Sequence, residues 1–303
     1  MDYAWIWIPV TIAAAAAQAG RNAVQRSLTT QLGTLGATQV RFLYGFPFAL
    51  LFLAIVITVT REWPPALNST FLTYTAGGAI CQITATALML AAMRERAFVV
   101  VTAWTKTEPI QVALFAFAVL GDPLSLGAIM AIVLSTVGVV LLSVKPGTPV
   151  LQDGGLRPVL LGLVSGAFFA LSAVGFRGAI LEAGEGSFAL LASWTLVWSL
   201  FFQVLMLLGW MVLFDRPLLR RCVQAWRASI WGGLLGALAS QGWFIGFSLT
   251  AAANVRTLGL VEVLFAQMLS GRMLAQSTSR RDKVGVGLIV AGAALLIWLM
   301  PPA

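Results

Sequence analysis

Ten stretches of roughly 20 apolar residues, parted by short polar gaps, leave this chain one kind of architecture. They run over about 4–27, 37–60, 67–92, 97–120, 125–144, 157–180, 186–213, 228–251, 255–275 and 284–300. A helix of that length crosses the hydrocarbon core of a bilayer, and no gap is long enough to fold as a separate soluble domain. Composition points the same way, because 59% of the residues are hydrophobic and only 10% are charged, too few to cover a soluble chain with polar surface. The opening stretch MDYAWIWIPV has neither a basic region nor a clear cleavage site, so it reads as the first helix rather than a signal peptide. The expected fold is an all-α polytopic membrane protein with ten transmembrane helices.

Charge placement gives the topology. Of the 19 basic residues, twelve fall in odd-numbered loops: Arg26, Arg94, Arg96, Lys145, Arg157, Arg216, Arg220, Arg221, Arg227, Arg280, Arg281 and Lys283. Only Arg61 and Arg256 fall in even ones, and Arg21, Arg41, Lys106, Arg177 and Arg272 lie within segments or near their ends. Lys and Arg are retained on the cytoplasmic side, which places the odd loops inside and both termini outside. The basic stretches DRPLLRRCVQAWR and STSRRDK then read as anchors beside anionic lipid. No soluble module presents them to nucleic acid.

The turn-rich loop KPGTPVLQDGGLRP divides the segments five and five. The domains are therefore expected as a first five-helix repeat over 1–145, a linker over 146–157 and a second repeat over 158–303. With an odd number of helices per half, the second half enters the membrane inverted. An ungapped shift of 154 positions pairs Ala97 with Ala251, Val101 with Val255, Gly138 with Gly292, and Leu141 and Leu142 with Leu295 and Leu296. The same shift lays Glu108 on Glu262, the two carboxylates deep within segments. Inverted repeats are a common construction of secondary transporters, which bind solute near the midplane where the repeats meet.

The stretch TAWTKTEPIQ holds Lys106, Glu108 and Pro109 at the centre of the fourth segment. A charge there costs at least about 2.5–3.5 kcal/mol on insertion scales, so it faces protein or water. In an ideal helix Lys106 and Glu108 stand about 200° apart, and Pro109 inside the helix is expected to kink it and free the Thr105 carbonyl. Two readings compete: an ion pair of Lys106 with Glu262 or Glu108 that only ties helices, or a pair of symmetry-related carboxylates that bind solute or protons. The candidate site is Glu108, Glu262, Lys106, Trp104, Arg21, Asn22, Gln82, Gln241, Trp243 and Gln267. Gln18, Arg21, Asn22 and Gln25 form a polar stripe on the first segment. Arg21 and Arg177 are open to snorkelling as well as to solute contact. Tryptophans near segment ends, such as Trp5, Trp7, Trp63, Trp226 and Trp298, read as interface anchors, whereas Trp104 offers a flat wall to a solute. Small-xxx-small glycines (162 and 166, 232 and 236, 242 and 246) read as helix contacts. No metalloprotease or serine-hydrolase motif is present, no carboxylate cluster could hold a metal, and histidine is absent, so neither enzyme chemistry nor a cofactor is expected.

Residues 107–142, TEPIQVALFAFAVLGDPLSLGAIMAIVLSTVGVVLL, resemble the end of an EamA-type repeat of the drug/metabolite transporter superfamily. The shared features are a Glu-Pro early in the fourth helix, a Gly-Glu-x-Leu turn and a Gly-rich fifth helix. Here the turn reads Gly121-Asp122-Pro123-Leu124, and in the second copy Glu262 is followed by Val263. The resemblance implies a secondary transporter of small metabolites, with the third, fourth, eighth and ninth helices around the cavity. Several members keep both termini in the cytoplasm; the charge count here favours the opposite.

Together these readings give a carrier in the cytoplasmic (inner) membrane that moves a small polar or zwitterionic metabolite by alternating access. Amino-acid export leads, with protons as candidate coupling ion; efflux of lipophilic cations is the alternative. The expected partners are a small-molecule solute and membrane lipid, with no nucleic acid, in a monomer or homodimer.

Overall fold

The computed structural model describes residues 4–95, 104–143, 157–269 and 279–299. The predicted linker, all but its last residue, the repeat matches at Ala97 and Val101, and Arg272 lie outside them. All regular elements among the described residues are helical: α1 (Trp7–Thr60), α2 (Ser69–Glu95), α3 (Glu108–Leu120), α4 (Leu126–Ser143), α5 (Arg157–Glu182), α6 (Phe188–Phe214), α7 (Arg216–Gln224), α8 (Trp226–Leu249), α9 (Ala252–Leu258), α10 (Glu262–Leu269) and α11 (Arg280–Trp298). Short 3₁₀ turns occupy Ala4–Ile6 and Gly259–Val261. The chain is an all-α polytopic membrane protein. Its outward faces agree, since Leu114, Phe117, Leu126, Leu213 and Phe214 are all more than half exposed, which suits lipid rather than water.

The first two segments are joined far more tightly than the expected gap over 28–36. α1 runs through them with one non-helical residue, Gly33, at φ 67° and ψ 179°. That backbone region is open essentially to glycine alone. Arg26, expected in a loop, therefore lies within a helix. Other ends follow from local chemistry. Gly121, left-handed at φ 68°, closes α3 by donating to the carbonyls of Ala116 and Phe117. The Asp215 carboxylate accepts from Leu218 N–H at the start of α7, and Ser279 and Asp282 form a reciprocal capping box on α11.

Two compact units emerge, each drawing on both halves of the sequence. The first comprises residues 1–8, 81–174 and 250–303, and so holds the end of α2, α3, α4, the first part of α5, and α9 to α11. Its centre is the α4–α11 pair, helices five and ten of the sequence reading. A Cβ on Gly138 would meet Gly285 O at 2.7 Å and Ile289 N at 2.9 Å, while one on Gly292 would meet Ala131 O at 2.8 Å and would clash with Ser135 Oγ. Under the 154-residue shift these contacts exchange with one another: Ala131 and Ser135 map onto Gly285 and Ile289, and Gly138 onto Gly292. The two helices thus meet about a pseudo-twofold axis, as an inverted repeat requires. Val139, Leu260 and Ile289 fill the core beside them.

The second unit, residues 9–80 and 175–249, holds α1, the start of α2, the end of α5, and α6 to α8. One core joins both sides of the Gly33 break to the basic loop: Leu28, Leu32, Ala37 and Val40 pack on Met211, Leu218 and Cys222. Cys222, read as a loop residue, is buried on α7. A second core sets Phe71 against Ala179 and Ala183. Close approaches are made at glycines: a Cβ on Gly175 would lie 3.0 Å from Gly78 Cα, and one on Gly233 would lie 2.6 Å from the Tyr44 carbonyl oxygen. Trp7, expected at an interface, is fully buried instead, whereas Trp5, Trp63 and Trp298 are exposed as anchors should be.

Candidate functional site

The charged stretch of the fourth segment is no kinked helix interior. Trp104 and Thr105 are helical, Lys106 and Thr107 form a turn, and α3 starts afresh at Glu108. Pro109 sits in the first turn of the new helix, where its missing N–H breaks no helical bond. The Thr107 N–H and hydroxyl both donate to the Trp104 carbonyl, at 3.3 and 2.7 Å. The Thr105 carbonyl instead faces Gly166 of α5, 3.2 Å from where a Cβ would stand. The Gln111 amide donates to the Leu163 carbonyl at 3.4 Å on the same helix. A glycine on α5 is what lets this irregular backbone pack so closely.

Segment nine repeats the pattern. α9 ends at Leu258, the 3₁₀ turn Gly259–Val261 tightens the path, and α10 begins at Glu262. Both glutamates therefore open a helix that follows a turn within a membrane segment. At the start of α3 the unsatisfied N–H groups and the helix dipole favour a negative charge on Glu108, whereas the Glu262 N–H is already bonded to the Gly259 carbonyl.

The turns decide where the charges go. Lys106 Nζ donates to Glu262 Oε2 at 2.8 Å, and Glu262 is only 5% exposed. Glu108 Oε1 lies 3.3 Å from Arg256 Nε of α9, with about one-eighth of each side chain exposed. Each symmetry-related glutamate thus takes a cation from the opposite half of the sequence. The expected separation of Lys106 and Glu108 around one ideal helix does not apply, because the chain turns between them. The four side chains of the two pairs, here called the quartet, carry two positive and two negative formal charges. Beside it, the Trp104 indole N–H and the Gln111 side-chain carbonyl are buried without a hydrogen-bond partner among the described residues.

Arg256 is the residue sequence reasoning missed. Read as part of an even loop, it lies instead inside α9. Gln82 and Gln267 stand in the same unit, on α2 and α10, half-buried. The other four candidates belong to the second unit. Trp243 Nε1 donates to Gln18 Oε1 at 3.0 Å, and Gln241 Nε2 donates to Ser193 Oγ at 2.9 Å. Arg21 donates from Nη2 to Asn22 Oδ1 at 2.7 Å and is buried at 7% exposure, which does not fit a side chain reaching for the interface. Arg177 donates from Nη1 to the Phe247 carbonyl in the last turn of α8, a helix-capping bond.

Comparison with known proteins fits this geometry. Residues 5–144 match the EamA-like transporter family. One crystal structure has 14% sequence identity and a TM-score of 0.68, covering 96% of this chain and 99% of its own. At that identity the likeness is one of fold, and it extends over both halves. No curated protein matches the sequence.

Proposed function

Because residues 5–144 match the EamA-like transporter family, we propose that the chain is a transporter of the drug/metabolite type, a secondary carrier of a small zwitterionic metabolite working by alternating access in the cytoplasmic membrane. The observation that carries this reading is the two ion pairs of the quartet, Lys106–Glu262 and Glu108–Arg256, each of which joins the first half of the sequence to the second. A zwitterion brings one ammonium and one carboxylate. Its ammonium replaces Lys106 on Glu262, and its carboxylate takes the cation set free, so no buried charge is left uncompensated. Desolvation largely offsets the attraction within a buried pair, which makes such an exchange of partners inexpensive. A proton on Glu262 releases Lys106 in the same way, giving a route for proton coupling. Trp104 and Gln111 supply a donor and an acceptor for the rest of the solute.

Amino acids and their relatives are the solutes that fit, and export is the direction we assign. Efflux of lipophilic cations is the weaker alternative, since both glutamates already face fixed positive charges and a cationic ligand would add a further one. The test is counterflow in proteoliposomes, with labelled zwitterionic amino acids in one arm and a quaternary ammonium compound in the other. Wild type should exchange the zwitterions, and Glu262→Gln should lose that exchange while still melting cooperatively. Exchange of the quaternary ammonium alone would establish the cationic alternative, and undiminished flux in Glu262→Gln would remove the glutamate from the mechanism.

A further inference from the structure

As a sequence, DRPLLRRCVQAWR is a diffuse basic stretch; folded as α7 and the start of α8, its side chains divide into two faces. Leu218 and Cys222 are buried against Leu28, Leu32, Ala37, Val40 and Met211, on both sides of the Gly33 break. At 100° per residue, Arg220 stands about 180° from the middle of that buried pair, with Arg216 about 40° to one side of it. Arg216 and Arg220 are four residues apart, which puts their Cβ atoms about 6 Å from each other on one face. Arg221 is exposed at the flank.

These arginines are held out rather than neutralised. Among the described residues, none of Arg216, Arg220, Arg221 and Arg227 is in an ion pair. The carboxylate beside them, Asp215, accepts from the Leu218 N–H at 3.1 Å and caps α7. Arg216 gives its Nε to the Val212 carbonyl at 2.8 Å, which steadies the guanidinium over the last turn of α6. Arg227 Cζ lies 5.4 Å from the centre of the Trp226 ring. The neighbouring side chains are apolar and open: Leu213, Phe214, Val223 and Trp226 are each about half exposed or more. A surface read by water or by an acidic soluble protein has no use for four large apolar groups among its arginines. A phospholipid offers a partner to both, phosphate to the guanidinium groups and acyl chain to the rest. The charge rule that assigns this loop to the cytoplasm also puts it at the leaflet rich in anionic lipid.

We propose that Arg216, Arg220 and Arg221 form a binding site for the phosphate of an anionic phospholipid, whose acyl chains lie against Leu213, Phe214 and Trp226. Forked cations one helical turn apart suit a phosphodiester, because each can give paired N–H bonds to its oxygens. The site bears on α1 as well. The Tyr44 hydroxyl lies 3.2 and 3.4 Å from the carbonyls of Cys222 and Val223 and donates to them, tying the end of α7 to the stretch of α1 beyond the break. A Cβ on Gly36 would meet Leu218 Cδ1 at 2.9 Å. A lipid that fixes α7 therefore also fixes α1 on both sides of Gly33, and it stabilises the protein whatever the solute.

The test is titration of dioleoyl phosphatidylglycerol into the detergent-purified protein, read by melting temperature, beside dioleoyl phosphatidylcholine and inorganic phosphate. A ligand of the folded state raises the melting temperature by mass action. Phosphatidylglycerol should raise it saturably, and the other two should not. At the usual strength of an arginine at an anionic surface, Arg220→Gln should weaken the apparent affinity about fivefold, and Arg220→Gln with Arg221→Gln about thirtyfold. Neither side chain makes a hydrogen bond among the described residues, so both variants should melt cooperatively without lipid. Arg280→Gln with Lys283→Gln, which removes two exposed charges from the start of α11, should leave the titration unchanged. Should the α7 double variant not melt cooperatively, bromine-labelled phosphatidylglycerol must quench the tryptophan fluorescence of wild type more than that of Trp226→Phe. Several results would overturn the proposal. No shift with phosphatidylglycerol, or an equal one with phosphatidylcholine, removes headgroup recognition. An equal shift with inorganic phosphate makes it a site for a free anion. An equal loss in the α11 variant reduces it to a response to net charge, and equal quenching of Trp226→Phe puts the lipid elsewhere.

Discussion

At the scale of single residues, the Glu108–Arg256 contact shows how a charge can be misplaced by hydropathy alone. No side chain caps α9 at Ala251, and Asn254 reads as the polar end of a loop ahead of an apolar segment, so Arg256 falls to the preceding loop. The glutamates were legible for a different reason, since a carboxylate deep within an apolar segment stands out and two at one repeat spacing stand out further. Which cation each would meet was not legible, because that depends on the turns at Lys106–Thr107 and Gly259–Val261. Removing Arg256 takes from the buried Glu108 carboxylate the cation it faces. Arg256→Gln alone should lower stability by about 1–3 kcal/mol, and the double variant with Glu108→Gln should lose less than the two single losses added together. Melting curves of the three proteins measure the coupling; strict additivity would show that the two groups do not interact.

At the scale of elements, proline was read with the right local chemistry and the wrong position. Pro109 does interrupt a membrane segment, but it does so by opening α3 rather than by bending a continuous helix. The Gly33 break was hidden because Thr29, Thr30, Thr34 and Gly36 around it are weak helix formers and read as a longer loop. Gly33→Ala should cost about 1–3 kcal/mol, read as a lower melting temperature, since alanine does not hold that backbone without strain. At the α4–α11 contact the obstacles are backbone atoms, which cannot step aside. Gly138→Ala and Gly292→Ala should each cost about 1–3 kcal/mol, against little change for Gly287→Ala, where nothing lies within 4 Å. A loop contact adds a dependence on pH. The Ser187 hydroxyl and N–H both bond the Glu62 carboxylate and hold its pKa below the usual glutamate value. A depressed carboxylate pKa stabilises the fold above the unfolded-state value, and that contribution is lost as pH falls through the folded value. The melting temperature should therefore fall less on acidification in Glu62→Gln than in wild type, by a small amount because the group is exposed.

At the scale of the molecule, the inverted repeat is the level the sequence expressed best. One shift of 154 positions, found on cheap apolar matches and a pair of glutamates, also exchanges the backbone contacts of Gly138 with those of Gly292. Composition and segment length settled the fold class, because a bilayer admits few alternatives to a helical bundle. What the repeat did not express is that each compact unit is assembled from both halves, an outcome of long-range packing rather than of local pattern. The central claim is that the quartet exchanges partners during transport rather than merely tying the repeats together. The measurement that tests it most directly is zwitterion counterflow by Lys106→Met, Glu262→Met and the double variant, beside their melting temperatures. The account predicts that the double variant regains stability over the single ones, since no buried charge is left alone, yet stays inactive. A double variant that regains exchange together with stability would contradict it and reduce the Lys106–Glu262 pair to a structural tie.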